Sequence, residues 1–93
     1  MSSHNISTLV FDIAPRPLSA VPRGESVRLV RIDAGRRLTR RLAELGLTPG
    51  VVMQVVHKNG GPMLIAVRGA RLALGRGVTD KILVEELDHT VSS

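Results

Sequence analysis

The chain has 93 residues, of which 43% are hydrophobic and 23% charged, the size and composition of one globular domain. It contains no cysteine, which excludes disulfides and thiolate metal sites, and no apolar run reaches the roughly 18 residues that span a bilayer. Its formal net charge of +5 favours an acidic partner, whether nucleic acid, an anionic membrane surface or an acidic protein face.

The two ends of the chain are predicted to be tails, and the domain lies between them. Residues 1–16 begin with small polar side chains and end at prolines on either side of Arg16, although residues 9–13 are apolar enough to add as an edge strand. The domain is predicted over residues 17–87 and a C-terminal tail over 88–93. Leu18–Val21 is expected to form one helical turn, with Ser19 as its N-cap and Gly24 closing it. Because no basic segment precedes an apolar run at the start, we expect a cytoplasmic protein.

Alternating aliphatic residues predict five strands, and glycine-rich turns separate the later ones. In the first strand the apolar positions change phase, which indicates a bulge near Leu29 or burial on both faces. In the second strand, one face is predicted to carry Val51, Met53, Val55 and His57. The strands are predicted at Ser26–Asp33, Val51–Lys58, Met63–Arg68, Arg71–Leu74 and Lys81–Glu86, with Gly69-Ala70 as a hairpin turn, Gly75–Asp80 as a loop, and Ile82 and Val84 facing inward.

One segment, Arg36–Leu45, has the spacing of an amphipathic helix, with Leu38, Leu42 and Leu45 on one stripe. Gly46 stands where a glycine ends a helix in the left-handed conformation. The segment 47–50 is predicted to turn, with Pro49 fixing φ at the second position of a β-turn and Gly50 permitting positive φ at the third. Five short strands with one helix after the first strand predict a mainly β fold, a small barrel whose closure protects the sheet edges.

The motifs of catalysis are missing from the sequence. It has neither a phosphate-binding glycine loop nor a nucleophile elbow, and Glu85 and Glu86 are adjacent on a strand, so they point to opposite faces. His4, His57 and His89 are scattered singly, which leaves open only a metal site assembled in space from His57 or His89 and a carboxylate. We therefore expect a non-enzymatic protein with no cofactor and no small-molecule substrate.

The helix carries an unusual set of charges. Like charges stand four residues apart in two pairs, Arg36 with Arg40 and Arg37 with Arg41, and each pair costs a few tenths of a kcal/mol. Glu44 is expected to offset part of this repulsion through Arg40 and Arg41. Two interpretations stay open: a solvated helix face, or a basic docking surface for a partner. The candidate partner-binding residues are Arg36, Arg37, Arg40, Arg41 and Glu44.

A family resemblance begins in the same helix. The dipeptide RL at 37–38 is followed by RLAELGLTPG at 41–50, and the pattern continues through Gly61-Pro62, residues 67–69, residues 72–74 and residues 82–84. These motifs resemble the signature of the FeoA family, the small cytoplasmic accessory proteins of bacterial ferrous iron uptake, over about residues 17–87. A loop richer in glycine at 75–77 than the helical turn usual there, and residues 1–16, depart from the family pattern.

The resemblance implies an SH3-like barrel and a role beside FeoB, a membrane permease with a cytoplasmic GTPase domain, which the protein would bind and modulate. Contact with the membrane would then occur only through that partner. Similar domains form the C-terminal SH3-like module of metal-dependent repressors, so a free-standing relative of that module is one alternative. The other is a small basic barrel that binds nucleic acid by charge, although Phe11, in the predicted tail, is the only aromatic residue on which a base could stack. The absence of Trp and Tyr also argues against a groove for proline-rich peptides.

Overall fold

The computed structural model describes residues 14–87, and these form one antiparallel sheet with short helices at its ends. Its strands are β1 (Arg16–Pro17), β2 (Ser26–Ile32), β3 (Val52–Lys58), β4 (Met63–Val67), β5 (Ala70–Leu74) and β6 (Ile82–Glu86). The main helix, α1, spans Arg36–Glu44, the short α2 spans Arg76–Thr79, and a 3₁₀ turn spans Leu18–Ala20. The strand order across the sheet is β1-β6-β2-β3-β4-β5. The mainly β prediction is confirmed.

The sixth strand was not predicted, and it places α1 after the second strand instead of the first. Arg16 pairs with Val84 and Pro17 with Leu83, so β1 covers the edge of β6. Proline cannot donate to a ladder, and an edge strand is one of the few places in a sheet that accept it. Residues 1–13, with the proposed edge strand at 9–13, and residues 88–93 lie outside the described residues.

The 3₁₀ turn confirms the helical turn predicted before β2, but its caps differ from the prediction. Ser19 lies inside the turn, whereas Pro17 occupies the N-cap without a side-chain hydrogen bond. Val21 is the C-cap, and Gly24 instead has a φ of 92° in the next turn, where its N–H donates to the Val55 carbonyl at 2.7 Å. The predictions for Ser19 and Gly24 were therefore wrong.

Within residues 14–87 the core is aliphatic apart from methionine, as the scarcity of aromatic residues predicts, and it fills the inner face of the sheet. Full burial of one such side chain stabilises the fold by about 1.5–3 kcal/mol. The buried side chains come from every long strand, from α1 and the 3₁₀ turn, and from the segments just after these two: Leu18, Val21, Val27, Leu29, Leu42, Leu47, Met53, Val55, Met63, Ile65, Val67, Leu74, Ile82 and Val84.

Two register shifts bend the long strands. Pairing between β2 and β6 shifts between Leu29 and Arg31, which confirms the predicted bulge. Pairing between β3 and β4 shifts between Val55 and His57. Because one extra residue reverses the alternation, His57 is exposed and the face predicted to include it ends at Val55.

The β4–β5 hairpin turns one residue earlier than predicted. Val67 pairs with Ala70, so the two turn residues are Arg68 and Gly69, with φ values of 52° and 80°. Positive φ at both positions defines the type I′ turn, whose twist matches that of the flanking strands. The prediction of Gly69-Ala70 was wrong because glycine occupies the second turn position and not the first.

Residues 76–79 form the short helix α2, where the sequence predicted a loop. Thr79 is buried and donates its hydroxyl to the Arg76 carbonyl at 3.3 Å, while Val78 packs against the core. These two contacts hold the turn despite the flanking glycines, so the loop prediction was wrong. Within residues 14–87, no helix is long and apolar enough to cross a membrane.

Candidate docking surface

The end of α1 fixes which face of the helix is buried. The Gly46 N–H donates to the Ala43 carbonyl and the Leu47 N–H to the Leu42 carbonyl, both at 2.9 Å, which is the Schellman pattern. Gly46 has a φ of 94°, the left-handed conformation that glycine adopts without a steric penalty. Leu42 and Leu47 are both buried, so the helix end attaches to the core through them.

The apolar stripe predicted on α1 is confirmed for two of its three leucines. Leu42 is 3% exposed and Leu38 is half-buried against the core. Leu45 is 45% exposed, which the prediction missed. The reason is that Leu45 is already the C-cap, and the chain turns inward after it so that Leu47 takes the buried position.

The opposite face of α1 is exposed to solvent and carries mainly arginine side chains. Arg36, Arg37, Arg40, Arg41 and Glu44 are all exposed. The ion pairs within residues 14–87 join Arg16 to Glu25 and Glu86, at 3.2 Å each, and Arg28 to Glu85, at 3.5 Å. None of these pairs includes a residue of α1, so the expected contacts from Glu44 to Arg40 and Arg41 are not formed.

The N-terminus of α1 is also an unfavourable place for arginines. The first turn holds Arg36 and Arg37 and no acidic residue, and the N-cap, Gly35, offers no side-chain hydrogen bond. A helix N-terminus carries partial positive charge, so cations there are disfavoured by about 0.3–1 kcal/mol each. The like-charge pairs and the first-turn arginines therefore weaken the helix slightly, whereas Arg41, in the last turn, is favoured by the helix dipole.

A fifth arginine lies near the C-terminal end of α1, and the helical spacing did not point to it. The Cδ of Arg68, in the β4–β5 turn, is 3.3 Å from the position that a Cβ on Gly46 would occupy. The two residues are far apart in the chain, and only the folded structure brings them together. Arg68 extends the basic surface beyond the C-terminal end of α1.

The described residues do not gather a metal site. No group of three His, Asp or Glu side chains within residues 14–87 is close enough to hold a metal ion. His57 is exposed on β3, while His4 and His89 lie outside the described residues. Glu85 and Glu86 pair with different arginines, Arg28 and Arg16, in agreement with their predicted opposite faces.

A small pocket lies at the far end of β3 and β4 from the arginine face. It has a volume of about 110 Å³, below the roughly 300–1,000 Å³ usual for ligand sites. The Lys58 Nζ at its wall donates to the Ser19 and Val21 carbonyls at 3.1 and 2.9 Å. This lysine therefore ties the end of β3 to the 3₁₀ turn, and the arginine face stays the stronger candidate for binding.

Comparison with known proteins decides the family. The FeoA domain model matches residues 16–86, almost the whole described chain. The chain belongs to the FeoA family. Fe(2+) transport protein A of Methanocaldococcus jannaschii is 36% identical over 73 residues, which make up 78% of this chain and 89% of that protein.

Solved FeoA structures share the fold. The crystal structure of the iron uptake regulatory protein FeoA superposes with a TM-score of 0.73 at 35% identity, covering 81% of this chain and 100% of that one. FeoA of Stenotrophomonas maltophilia, crystallised with zinc and described as a prokaryotic SH3 domain protein, gives a TM-score of 0.68 at 29% identity, covering 74% of this chain and 88% of that one. The SH3-like fold implied by the resemblance is confirmed.

Proposed function

We propose that this FeoA-family protein is a non-enzymatic, cytoplasmic accessory protein of ferrous iron uptake that binds and modulates the FeoB permease. Family membership supports the process, since a relative with 36% identity is named for Fe(2+) transport. The partner follows from the place of the family beside FeoB. The docking surface is the exposed face of α1, formed by Arg36, Arg37, Arg40, Arg41 and Glu44.

The uncompensated charge on α1 is the observation that carries this proposal. The four helix arginines are exposed, repel one another, and have no carboxylate within 4.0 Å among the described residues. These exposed charges contribute little to folding, which supports binding to a partner as their proposed role. An acidic surface on the GTPase domain of FeoB would relieve the repulsion on binding and steer the approach of the two proteins.

Purified FeoB in detergent, titrated with wild-type protein and with the double variant Arg37→Glu, Arg41→Glu, tests the proposal. We expect the variant to bind at least about 10-fold more weakly, a loss of about 1.4 kcal/mol, with its melting temperature nearly unchanged. The control is Arg23→Glu with Arg76→Glu, which alters the net charge equally at two exposed arginines away from α1. The control should bind like wild type.

Three results contradict the proposal. If wild-type protein does not bind FeoB, then FeoB is not its partner. Equal losses in the variant and the control mean that net charge alone acts, and not the α1 surface. Tight, salt-sensitive binding of wild-type protein to generic duplex DNA, with none to FeoB, favours the nucleic-acid alternative.

A further inference from the structure

Leu45 is an exposed apolar side chain at the edge of the arginine face. It is 45% exposed, and only Val52 is a comparably exposed large hydrophobic residue within residues 14–87. Side chains four positions apart are neighbours on a helix surface, so Leu45 lies beside Arg41. One exposed leucine is ordinary on a protein surface, but this one stands beside helix arginines that form no ion pair with any residue of 14–87.

Arg68 packs beside Gly46, the residue that follows Leu45, and its backbone has a positive φ. It occupies the first position of the type I′ turn at a φ of 52°, where asparagine or glycine is strongly preferred and a long side chain is rare. Its Cδ packs over Gly46, the residue after Leu45. The turn itself requires the positive φ, and it holds the stem of Arg68 next to the C-terminal end of α1.

We propose that Arg41, Leu45 and Arg68 form one continuous docking site for an acidic segment of a protein partner that carries an apolar side chain. This proposal rests on the proposed function and names the chemistry of the segment that FeoB would supply. Leu45 makes the apolar contact, and the two arginines pair with carboxylates on either side of it. Arginine is enriched among the residues that contribute most to binding at protein interfaces and leucine is not, so the two arginines should contribute the larger share.

The leucine is what separates a protein partner from a nucleic acid. A phosphate backbone is bound by charge and hydrogen bonds, and an aliphatic side chain contributes to neither. A site for phosphates would therefore use Arg41 and Arg68 and gain nothing from Leu45. A glycine at position 46 leaves room for the stem of Arg68, because a Cβ there would press on it.

Two variants of the full chain test the site against purified FeoB. Arg68→Asn places the preferred residue in the turn, so the melting temperature should stay the same or rise while FeoB binding weakens about 5- to 10-fold. Leu45→Ala should weaken binding about 5-fold. The matched control is Arg76→Asn, the same exchange at an exposed arginine beyond the opposite end of β5. Raising the salt concentration should shrink the loss in Arg68→Asn and leave the loss in Leu45→Ala unchanged.

Each result that contradicts these expectations identifies which part of the account is wrong. If Arg37→Glu with Arg41→Glu weakens FeoB binding but Arg68→Asn and Leu45→Ala do not, this site is wrong and the proposed function stands. If wild-type protein does not bind FeoB, the proposed function is wrong, and the site proposal that rests on it is wrong too. If Arg68→Asn lowers the melting temperature by several degrees and leaves binding intact, Arg68 serves the fold. Binding to duplex DNA that responds to Arg68→Asn but not to Leu45→Ala also overturns the site.

Discussion

Replacing Leu42 with alanine tests how α1 is attached to the sheet. Leu42 is 3% exposed and belongs to the central core cluster, so the change removes buried methyl groups and leaves a cavity. Buried Leu→Ala changes cost about 2–5 kcal/mol. The backbone carbonyl of Leu42 keeps its hydrogen bond from Leu47, so the helix end itself stays intact. We expect a loss of about 3 kcal/mol in the free energy of unfolding.

Leu45→Ala is the matched control for this change, because it makes the same exchange in a leucine that is 45% exposed. For a domain of this size, 1 kcal/mol shifts the melting temperature by about 4–8 °C, so Leu42→Ala should lower it by about 12–24 °C. Leu45→Ala should lower it by no more than a few degrees. Thermal unfolding followed by circular dichroism measures both. Equal shifts, or a shift below about 2 °C for Leu42→Ala, would refute the docking of α1 through Leu42.

Three further predictions concern the glycine after α1, the lysine on β3 and metal binding. Gly46→Ala should cost about 1–2 kcal/mol, since alanine is strained at a φ of 94° and its Cβ would press on Arg68; chemical denaturation measures the loss. Lys58→Met should cost about 1 kcal/mol, because two charge-assisted hydrogen bonds to the Ser19 and Val21 carbonyls are lost; an unchanged denaturation midpoint would contradict this. Fe²⁺ and Zn²⁺ should bind the monomer only weakly, and stoichiometric submicromolar binding in calorimetry would overturn that expectation.

Local steric rules explain what the sequence revealed of the fold. Only glycine readily adopts positive φ, so Gly46 marked the end of α1 and Gly50 the turn after it; both have the expected φ, 94° and 95°. Strand periodicity similarly assigned Ile82 and Val84 to the core, where both are fully buried. These features depend on a few neighbouring residues, and the sequence holds all the information they need.

The missed features depend on contacts between distant parts of the chain. Burial of Thr79 turned an apparent glycine loop into α2, and pairing with β6 made a strand of Arg16-Pro17. The candidate site shows the same division. Its helix arginines were found from spacing alone, whereas the exposure of Leu45 follows from the path of the chain after α1. The approach of Arg68 to Gly46 depends on how the hairpin packs against the helix.

The salt dependence of association between the protein and FeoB tests the arginine docking surface most directly. Association rate constants, measured by stopped flow from low to high ionic strength, should fall steeply for wild-type protein. The double variant Arg37→Glu, Arg41→Glu should associate more slowly at low salt and show a much shallower dependence. Equal rates for the two proteins at low salt, or a wild-type rate that does not change with salt, would contradict a role for the α1 arginines in binding.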